Sequence, residues 1–213
     1  MVPIGGKPVL EHLVCLLRDA GITDIAINLH YRPEAITRHF GDGSSLGVHI
    51  TYSPEEHLLG SAGAVKRLSW FLNEPFIVIY GDVMAGVHLA PLIQLHSMRG
   101  ALATLALYEV PDPSRCGIVQ TDADGRVRHF IEKPQADYGN LANAGIYVLS
   151  PEIHDHLPEG PSDFGHEIFP DLLRKQLPVY AAPAIGYVMD IGSPERYEQV
   201  QADYAAGLVE MKS

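Results

Sequence analysis

The feature that most constrains the fold of this chain is the regular alternation of apolar strands and amphipathic helices over residues 1–110. The run FIVIY (Phe76–Tyr80) is apolar at every position, which is typical of a strand covered on both faces in a parallel sheet. Between such runs, apolar residues recur with the three-to-four spacing of a helix that packs one face against a sheet. This alternation predicts an α/β protein with a layered sheet.

The same patterns give approximate bounds for the elements. We expect helices at 8–20, 32–40, 61–72 and 89–99, and strands at 24–29, 48–53, 75–82 and 101–110. Beyond residue 110 we expect a hairpin within 117–134, a strand at 141–150, a helix at 166–175 interrupted by Pro170, and a strand, turn and closing helix over 186–204. Because no linker or repeat divides the chain, we expect a single domain over residues 1–213.

The composition narrows the classes of partner. The chain carries 26 acidic and 15 basic residues, for a net charge of −11, which argues against a nucleic-acid partner. A small phosphorylated ligand stays compatible if a cation or a few basic side chains screen the charge. Cys15 and Cys116 lack C-x-x-C spacing and so indicate neither a zinc site nor a redox motif. With no signal peptide and no membrane-spanning apolar run, we expect a cytoplasmic protein.

Two aspartates are candidates for holding a metal ion. Asp82 follows Gly81 at the end of one apolar run, and Asp190 ends another before a glycine turn. Ligands of open α/β sheets collect at the carboxyl ends of strands, and Mg²⁺ is held by one or two carboxylates together with water and phosphate oxygens. From the residues alone, each aspartate is equally well explained as a solvated loop cap, and convergence of the two is not established.

Two further segments are candidates for binding an anion or a polar ligand. Lys133 follows the second strand of the hairpin and stands before Pro134, which stiffens the exit; the alternative is an ordinary exposed lysine. LLGSAGAVK (Leu59–Lys66) places small residues at the start of a predicted helix, where backbone N–H groups can approach a ligand closely. It lacks the pattern of a P-loop.

Taken together, eight stretches resemble the sugar-1-phosphate nucleotidylyltransferases, also called nucleotide-sugar pyrophosphorylases. In order they are MVPIGGKPVLEHLV, LLGSAGAV, FIVIYGDV, CGIV, FIEKP, NAGIYVLSPEI, DFGHEIFPDLL and GYVMDIGSPERY. The resemblance covers nearly the whole chain and implies a Rossmann-like mixed sheet with flanking helices and a sugar-binding subregion. It implies the reaction of an NTP with a sugar 1-phosphate to give an NDP-sugar and pyrophosphate. An α/β protein of unrelated function would require all eight matches to be accidental.

The resemblance also implies roles for individual residues. Asp82 and Asp190 correspond to the pair that holds Mg²⁺, and Lys133 corresponds to the lysine on the sugar phosphate, so that Asp82 and Lys133 are the expected catalytic residues. Glu132 corresponds to the carboxylate that accepts sugar hydroxyls. Gly60, Ser61, Ala62 and Gly63 correspond to the segment that reads the nucleobase. Gly117, Asn143 and Gly145 correspond to residues that lie against the sugar, and Gly81 is a further expected substrate-binding residue.

The identity of the sugar and the nucleobase is indicated by only two of these stretches. DFGHEIFPDLL and GYVMDIGSPERY resemble the mannose-1-phosphate guanylyltransferase-like branch, so we expect GTP and mannose 1-phosphate. UTP or dTTP with glucose 1-phosphate is the alternative, because base choice rests on a few loop contacts.

The opening of the chain is unusual for this family. In that family, the equivalent of MVPIGGKP follows about twenty residues that form a first strand and a G-G-x-G-T-R-L-x-P loop around the triphosphate. A lysine in that upstream segment also contacts phosphate, and Lys7 does not correspond to it. We expect either a start assigned at an internal Met or a truncated chain, or else a catalytically inactive homologue that binds NDP-sugar and regulates an active relative. Because that strand is usually an interior one, we also expect low stability or self-association as a homo-oligomer.

Overall fold

A computed structural model of the chain describes residues 1–209, and the chain divides into two compact units. Unit 1 contains residues Met1–Leu58, Tyr80–Leu89 and those from Ile185 onward, and unit 2 contains Leu59–Ile79 and Ala90–Ala184. Both units mix strands and helices.

The strands are short, and most of them lie within or next to the predicted runs. In chain order they are β1 (Pro3–Ile4), β2 (Lys7–Pro8), β3 (Asp24–Leu29), β4 (His49–Pro54), β5 (Phe76–Ile79), β6 (Val83–Val87), β7 (Ala103–Glu109), β8 (Gly117–Thr121), β9 (Val127–Glu132), β10 (Leu141–Leu149), β11 (Val179–Pro183) and β12 (Gly186–Asp190).

The helices flank these strands. They are α1 (Val9–Asp19), α2 (Pro33–Phe40), α3 (Gly60–Arg67), α4 (Ala90–Arg99), α5 (Phe169–Arg174) and α6 (Pro194–Ala205). One π-helical turn, Phe164–Ile168, leads directly into α5. The turn stands just before Pro170, whose missing N–H and fixed ring disfavour regular α-helix on its N-terminal side.

Unit 1 contains three two-stranded sheets. β1 and β2 form a hairpin, β3 and β4 pair in parallel, and β6 and β12 pair antiparallel. The turn Gly5–Gly6 has positive φ at both residues, which is the requirement of the tightest hairpin turn. One buried cluster joins α1 to β3, α2 and β4 through Val14, Ile25, Ile27, Leu29, Phe40 and Val48, and a second joins β1, α1, β6 and α6 through Ile4, Val9, Met84, Val200 and Val209.

Unit 2 is built around β10, the longest strand. β7 pairs antiparallel with one edge of β10 and in parallel with β11, while β8 and β5 share the other edge of β10. Gly145 interrupts β10 with a φ of 68°, and the register with β7 shifts between Asn143 and Tyr147. This bulge redirects the side chains on its N-terminal side. Phe130 of β9 and Tyr147 of β10 form an aromatic cluster with Phe164 and Phe169 of the helical segment.

The expected fold class, an α/β mixed sheet with flanking helices, is confirmed. The interpretation of Phe76–Tyr80 as a parallel strand covered on both faces is wrong, because β5 pairs antiparallel with β10 and only Phe76 is buried. The predicted strand 75–82 stops at Ile79, and a separate, wholly buried strand, β6, follows a turn. Among the helices within residues 1–209, none is long and apolar enough to cross a bilayer.

Candidate active site

In unit 1, β6 and β12 bring the two candidate metal ligands to the same end of one small sheet. Asp190 is the last residue of β12 and pairs with Val83, the first residue of β6. The Ile191 N–H donates to the Asp82 carbonyl at 2.8 Å, which continues the pairing by one position. Asp82 lies in the turn before β6 rather than at the end of the preceding strand. The two aspartates are therefore neighbours across an antiparallel ladder.

The two carboxylates differ in their surroundings. Asp82 is exposed, and its carboxylate makes no hydrogen bond or ion pair with residues 1–209. Asp190 is about one-third exposed and forms an ion pair with Arg196, while its Oδ1 accepts the Gly192 N–H at 3.2 Å. Arg196 is placed by the first turn of α6, where its own N–H donates to the capping Ser193 Oγ at 3.3 Å. A cation binding at Asp190 must therefore compete with a guanidinium.

This donor set fits Mg²⁺ of the kind bound jointly by protein and substrate. Within residues 1–209 there is no cluster of three or more His, Cys, Asp or Glu side chains suited to a metal, so a complete protein cage is not offered there. Two carboxylates at one sheet end, one of them unpaired, are what Mg²⁺ takes when water and phosphate oxygens supply the other ligands. Gly81, in the same turn, faces open space among the described residues.

In unit 2, Glu132 is a half-buried carboxylate packed against two glycines. A Cβ on Gly117 would lie 2.7 Å from Glu132 Oε2, and a Cβ on Gly165 would lie 3.1 Å from it. Glu132 makes no hydrogen bond or ion pair with the residues that the structure describes. Because Glu132 is only partly buried, water can donate to its carboxylate, and the same acceptor positions are available to the hydroxyls of a ligand.

Lys133, next to Glu132, has an unusual backbone. Its φ is 47°, a left-handed value that is uncommon for a residue other than glycine. Its N–H donates to the Cys116 carbonyl at 3.0 Å, which holds the exit of β9 against the segment that leads into β8. The lysine side chain is exposed and unpaired within residues 1–209. Backbone strain of this kind concentrates at functional sites.

Asn143 is oriented by the bulge in β10. Its Nδ2 donates to the Tyr147 hydroxyl at 2.7 Å, and its Oδ1 accepts the Gly145 N–H at 3.2 Å. Each end of the amide keeps further capacity, because Nδ2 has a second hydrogen and Oδ1 a second lone pair. Tyr147, which is fully buried, was not predicted; its position four residues after Asn143 in NAGIY was the available signal.

The Gly60–Gly63 segment differs from expectation. The Ala62 and Gly63 N–H groups donate to the Ser162 carbonyl at 3.0 and 3.3 Å, so protein backbone occupies the approach predicted for a ligand. Because Gly60 has no side chain, it also allows this contact: a Cβ there would lie 2.4 Å from the Ser162 oxygen. These two amides therefore make bonds within the protein, and base recognition by this segment stays a prediction.

Asp163 was also missed by the sequence interpretation. Its Oδ2 accepts the Ser61 hydroxyl at 2.6 Å, and its Oδ1 accepts the Gly165 and His166 N–H groups at 2.8 and 3.0 Å. Glu167 Oε1 accepts the Asp163 N–H at 3.3 Å. This reciprocal arrangement resembles a capping box, but Glu167 stands four residues after Asp163 instead of the usual three, so the usual sequence pattern does not report it.

Within each unit the structure thus brings some of the predicted residues together. Unit 1 brings together Asp82 and Asp190, with Arg196 added. Unit 2 places Glu132 beside Gly117 and Gly165, with Lys133 following in the chain.

The chain is similar to known proteins over nearly its whole length. The family profile described as nucleotidyl transferase matches residues 1–207. The chain is 36% identical over 211 residues to the mannose-1-phosphate guanylyltransferase of Mycobacterium tuberculosis, covering 98% of this chain and 59% of that protein. It is 36% identical over 216 residues to the UTP–glucose-1-phosphate uridylyltransferase of Synechocystis, covering 93% of this chain and 56% of that protein. The chain therefore spans less than two-thirds of the length of these relatives.

A solved structure agrees with the fold. The crystal structure of HddC from Yersinia pseudotuberculosis is similar with a TM-score of 0.81 and 28% identity, covering 96% of this chain and 88% of that one. HddC has also been solved in complex with GMP-PN, with the same TM-score and coverage.

Proposed function

The chain belongs to the nucleotidyl transferase family, and we propose that it transfers a nucleotidyl group from an NTP to a sugar 1-phosphate, with GTP and mannose 1-phosphate as the preferred pair. A phosphate oxygen of the sugar 1-phosphate attacks the α-phosphorus of the NTP. A new P–O bond forms, the bond between the α- and β-phosphates breaks, and pyrophosphate leaves with the electron pair. The products are an NDP-sugar and pyrophosphate, and no covalent enzyme intermediate is needed.

The observation that carries this proposal is the unpaired Glu132 carboxylate against Gly117 and Gly165, with Lys133 next in the chain. An unpaired, half-buried carboxylate suits sugar hydroxyls, and an exposed lysine beside it suits a phosphate. Asn143, held by Tyr147, supplies a directed amide in the same unit. The three polar types together match a ligand that has both hydroxyls and a phosphate, which is the chemistry of a sugar phosphate.

Asp82 and Asp190 are proposed to hold Mg²⁺. When bound, Mg²⁺ neutralises charge on the phosphates and favours the in-line arrangement. The residues themselves contribute two adjacent carboxylates on paired strands, and Arg196 keeps the Asp190 charge compensated before a metal binds. In such a reaction the protein acts chiefly by positioning and by electrostatic stabilisation.

The preference for GTP and mannose 1-phosphate rests on the similarity to the mannose-1-phosphate guanylyltransferase of M. tuberculosis. The comparable similarity to a UTP–glucose-1-phosphate uridylyltransferase makes the glucose 1-phosphate pairs the necessary comparison in any assay.

The test is pyrophosphate release by this chain with Mg²⁺, using GTP, UTP, dTTP, CTP and ATP in turn against mannose 1-phosphate and glucose 1-phosphate. Calorimetric binding of GDP-mannose and UDP-glucose is measured on the same folded sample. Release with GTP and mannose 1-phosphate above all other pairs is the expected result. NDP-sugar binding without release from any pair would replace the transferase by a binding protein. The absence of both pyrophosphate release and NDP-sugar binding would overturn the proposal altogether.

A further inference from the structure

Two segments of unit 2 that are far apart in sequence are joined by one short side-chain bond. The Ser61 hydroxyl donates to Asp163 Oδ2 at 2.6 Å, and Ser61 Oγ accepts the Phe164 N–H at 3.0 Å. Both side chains are partly buried. A hydrogen bond to an ionised acceptor is among the stronger ones in a protein, and partial burial shields it from competing water.

The two carboxylate oxygens of Asp163 accept hydrogen bonds from different groups. Oδ1 caps the π-helical turn by accepting the Gly165 and His166 N–H groups, which is a structural role. Oδ2 accepts only the Ser61 hydroxyl among the hydrogen bonds described within residues 1–209. The bond to Ser61 can therefore be removed by substitution while the helix cap is kept.

Backbone contacts bring the same two segments together. The Ser162 carbonyl accepts the Ala62 and Gly63 N–H groups, and the Ser162 N–H donates to the Leu59 carbonyl at 2.9 Å. Gly63 allows this approach, since a Cβ there would lie 2.5 Å from the Gly160 oxygen. Because the backbone bonds set the distance between the segments, the Ser61–Asp163 bond is left to set the orientation of the start of α3.

We propose that Ser61 and Asp163 are positioning residues that hold the Gly60–Gly63 segment in the conformation that binds the nucleotide. This inference rests on the proposed function and on the expectation, drawn from the family resemblance, that this segment meets the nucleobase. With the bond intact, the segment is preorganised and the nucleotide binds without first ordering it. If loss of the bond leaves the segment correctly placed about one-tenth of the time, the apparent Kd for the nucleotide rises about tenfold.

The test uses four variants of the chain. Ser61→Ala removes the hydroxyl. Asp163→Asn keeps an oxygen for the cap but replaces the carboxylate acceptor by an amide that can only donate to Ser61 Oγ, so the charge-assisted bond is lost. Ser61→Thr retains the hydroxyl and is the rescue variant. Ser150→Ala is the matched control, because Ser150 Oγ also makes two bonds in unit 2, to the Ala101 carbonyl at 2.8 Å and to His96 Nε2 at 3.0 Å.

The decisive readout is the KM for NTP compared with the KM for sugar 1-phosphate, with hydrogen–deuterium exchange of residues 60–63 measured alongside. We expect Ser61→Ala and Asp163→Asn to raise the KM for NTP about tenfold, with little change for sugar 1-phosphate and faster exchange in residues 60–63. Ser61→Thr should restore the wild-type KM values. Ser150→Ala should lower the melting temperature without changing either KM.

Different results would overturn the positioning role and the proposed function. An unchanged KM for NTP in Ser61→Ala, in an otherwise active protein, would overturn the positioning role and leave the proposed function standing. Equal increases in both KM values would show general loosening of unit 2 and would also overturn it. A wild-type chain that neither releases pyrophosphate nor binds nucleotide would overturn the proposed function, and the positioning role with it.

Discussion

The two candidate sites are built in opposite ways. In unit 2, Glu132 is half-buried, unpaired and confined by glycines, and Asn143 is fixed by a buried tyrosine hydroxyl. In unit 1, Asp82 is exposed in a turn, while Asp190 is already neutralised by Arg196. The site in unit 2 has an acceptor without a described donor, whereas the site in unit 1 has one exposed carboxylate and one whose charge is compensated by Arg196.

The difference follows from the chemistry of the proposed ligands. Sugar hydroxyls are neutral and directional, so they are best recognised by acceptors held rigidly in place. A divalent cation binds strongly through charge and accepts flexible carboxylates, so exposed aspartates suffice. The comparison predicts that substitutions in unit 2 act on substrate affinity, whereas substitutions in unit 1 act on turnover and on the metal requirement.

The largest effect is expected for the unit 1 carboxylates. Asp82→Asn or Asp190→Asn should lower Mg²⁺-dependent turnover about a thousandfold, because several kcal/mol of charge stabilisation are lost. Circular dichroism should show an unchanged fold. Near-normal turnover in either variant would remove that aspartate from the metal site and break the comparison.

The next effect concerns Glu132 and Lys133 in unit 2. Glu132→Gln and Lys133→Ala should each raise the KM for sugar 1-phosphate about 10- to 100-fold, which corresponds to the loss of one charged hydrogen bond. The KM for NTP should change much less. An effect confined to NTP would contradict the assignment of these residues to the sugar phosphate.

A graded effect is expected at the glycines that confine Glu132. In Gly117→Ala, the new Cβ would meet Glu132 Oε2 at 2.7 Å and the Phe130 ring at 2.8 Å, whereas in Gly165→Ala the closest contact is 3.1 Å. The KM for sugar 1-phosphate should therefore rise more in Gly117→Ala, by about tenfold if roughly 1.4 kcal/mol of binding is lost. Equal, negligible effects would show that Glu132 does not depend on this packing.

Arg196 provides a subtler test of unit 1. Arg196→Met keeps much of the side-chain volume but removes the ion pair with Asp190, so a cation no longer competes with a guanidinium. Mg²⁺ binding, measured by calorimetry without substrates, should tighten severalfold, on the order of 0.5–1 kcal/mol for a partly exposed charge pair. Weaker Mg²⁺ binding would mean that Arg196 supports the metal site instead of opposing the metal.

The smallest effect is a pH dependence of stability in unit 2. Burial lowers the pKa of His96, whose ring nitrogens lie 3.0 Å from the hydroxyls of Thr104 and Ser150. The unfolded chain, with a histidine pKa near 6.5, then binds a proton before the folded chain does. The contribution of His96 to the free energy of unfolding should be fully present above about pH 6.5. It should fall as the pH drops towards the lowered pKa, no more steeply than about 1.4 kcal/mol per pH unit.

His96→Gln should flatten this slope relative to wild type in urea unfolding measured between pH 5 and 8. Identical slopes in the two proteins would show that His96 does not carry the proton linkage.

The sequence predicted the parts of the fold that local periodicity determines. The strand predicted at 24–29 has the bounds of β3, and the helix predicted at 32–40 differs from α2 by one residue. β1 and β2 are two residues each, too short for any periodic signal. β6 was missed because Gly81–Asp82 resembles the end of one strand, while the buried residues after it include alanine and glycine, which do not favour strands strongly.

The site residues divide in the same way. Asp82, Glu132, Lys133 and Asp190 are candidates predicted from short local motifs, and their roles stay predictions. Asp163 acts through Ser61, 102 residues away, and no local pattern reports a partner at that separation. Arg196 was not predicted as a site residue, because its pairing with Asp190 depends on the turn between β12 and α6. Contacts of this kind are set by packing and not by sequence spacing.

The most direct test of the sugar site in unit 2 is a crystal structure of the chain grown with GDP-mannose. We expect Glu132 to accept one or two mannose hydroxyls within hydrogen-bonding distance, Asn143 to lie against the same sugar, and the Lys133 ammonium to contact the phosphate attached to it. A sugar bound away from Glu132, with that carboxylate still unpaired, would contradict the assignment of Glu132 to the sugar.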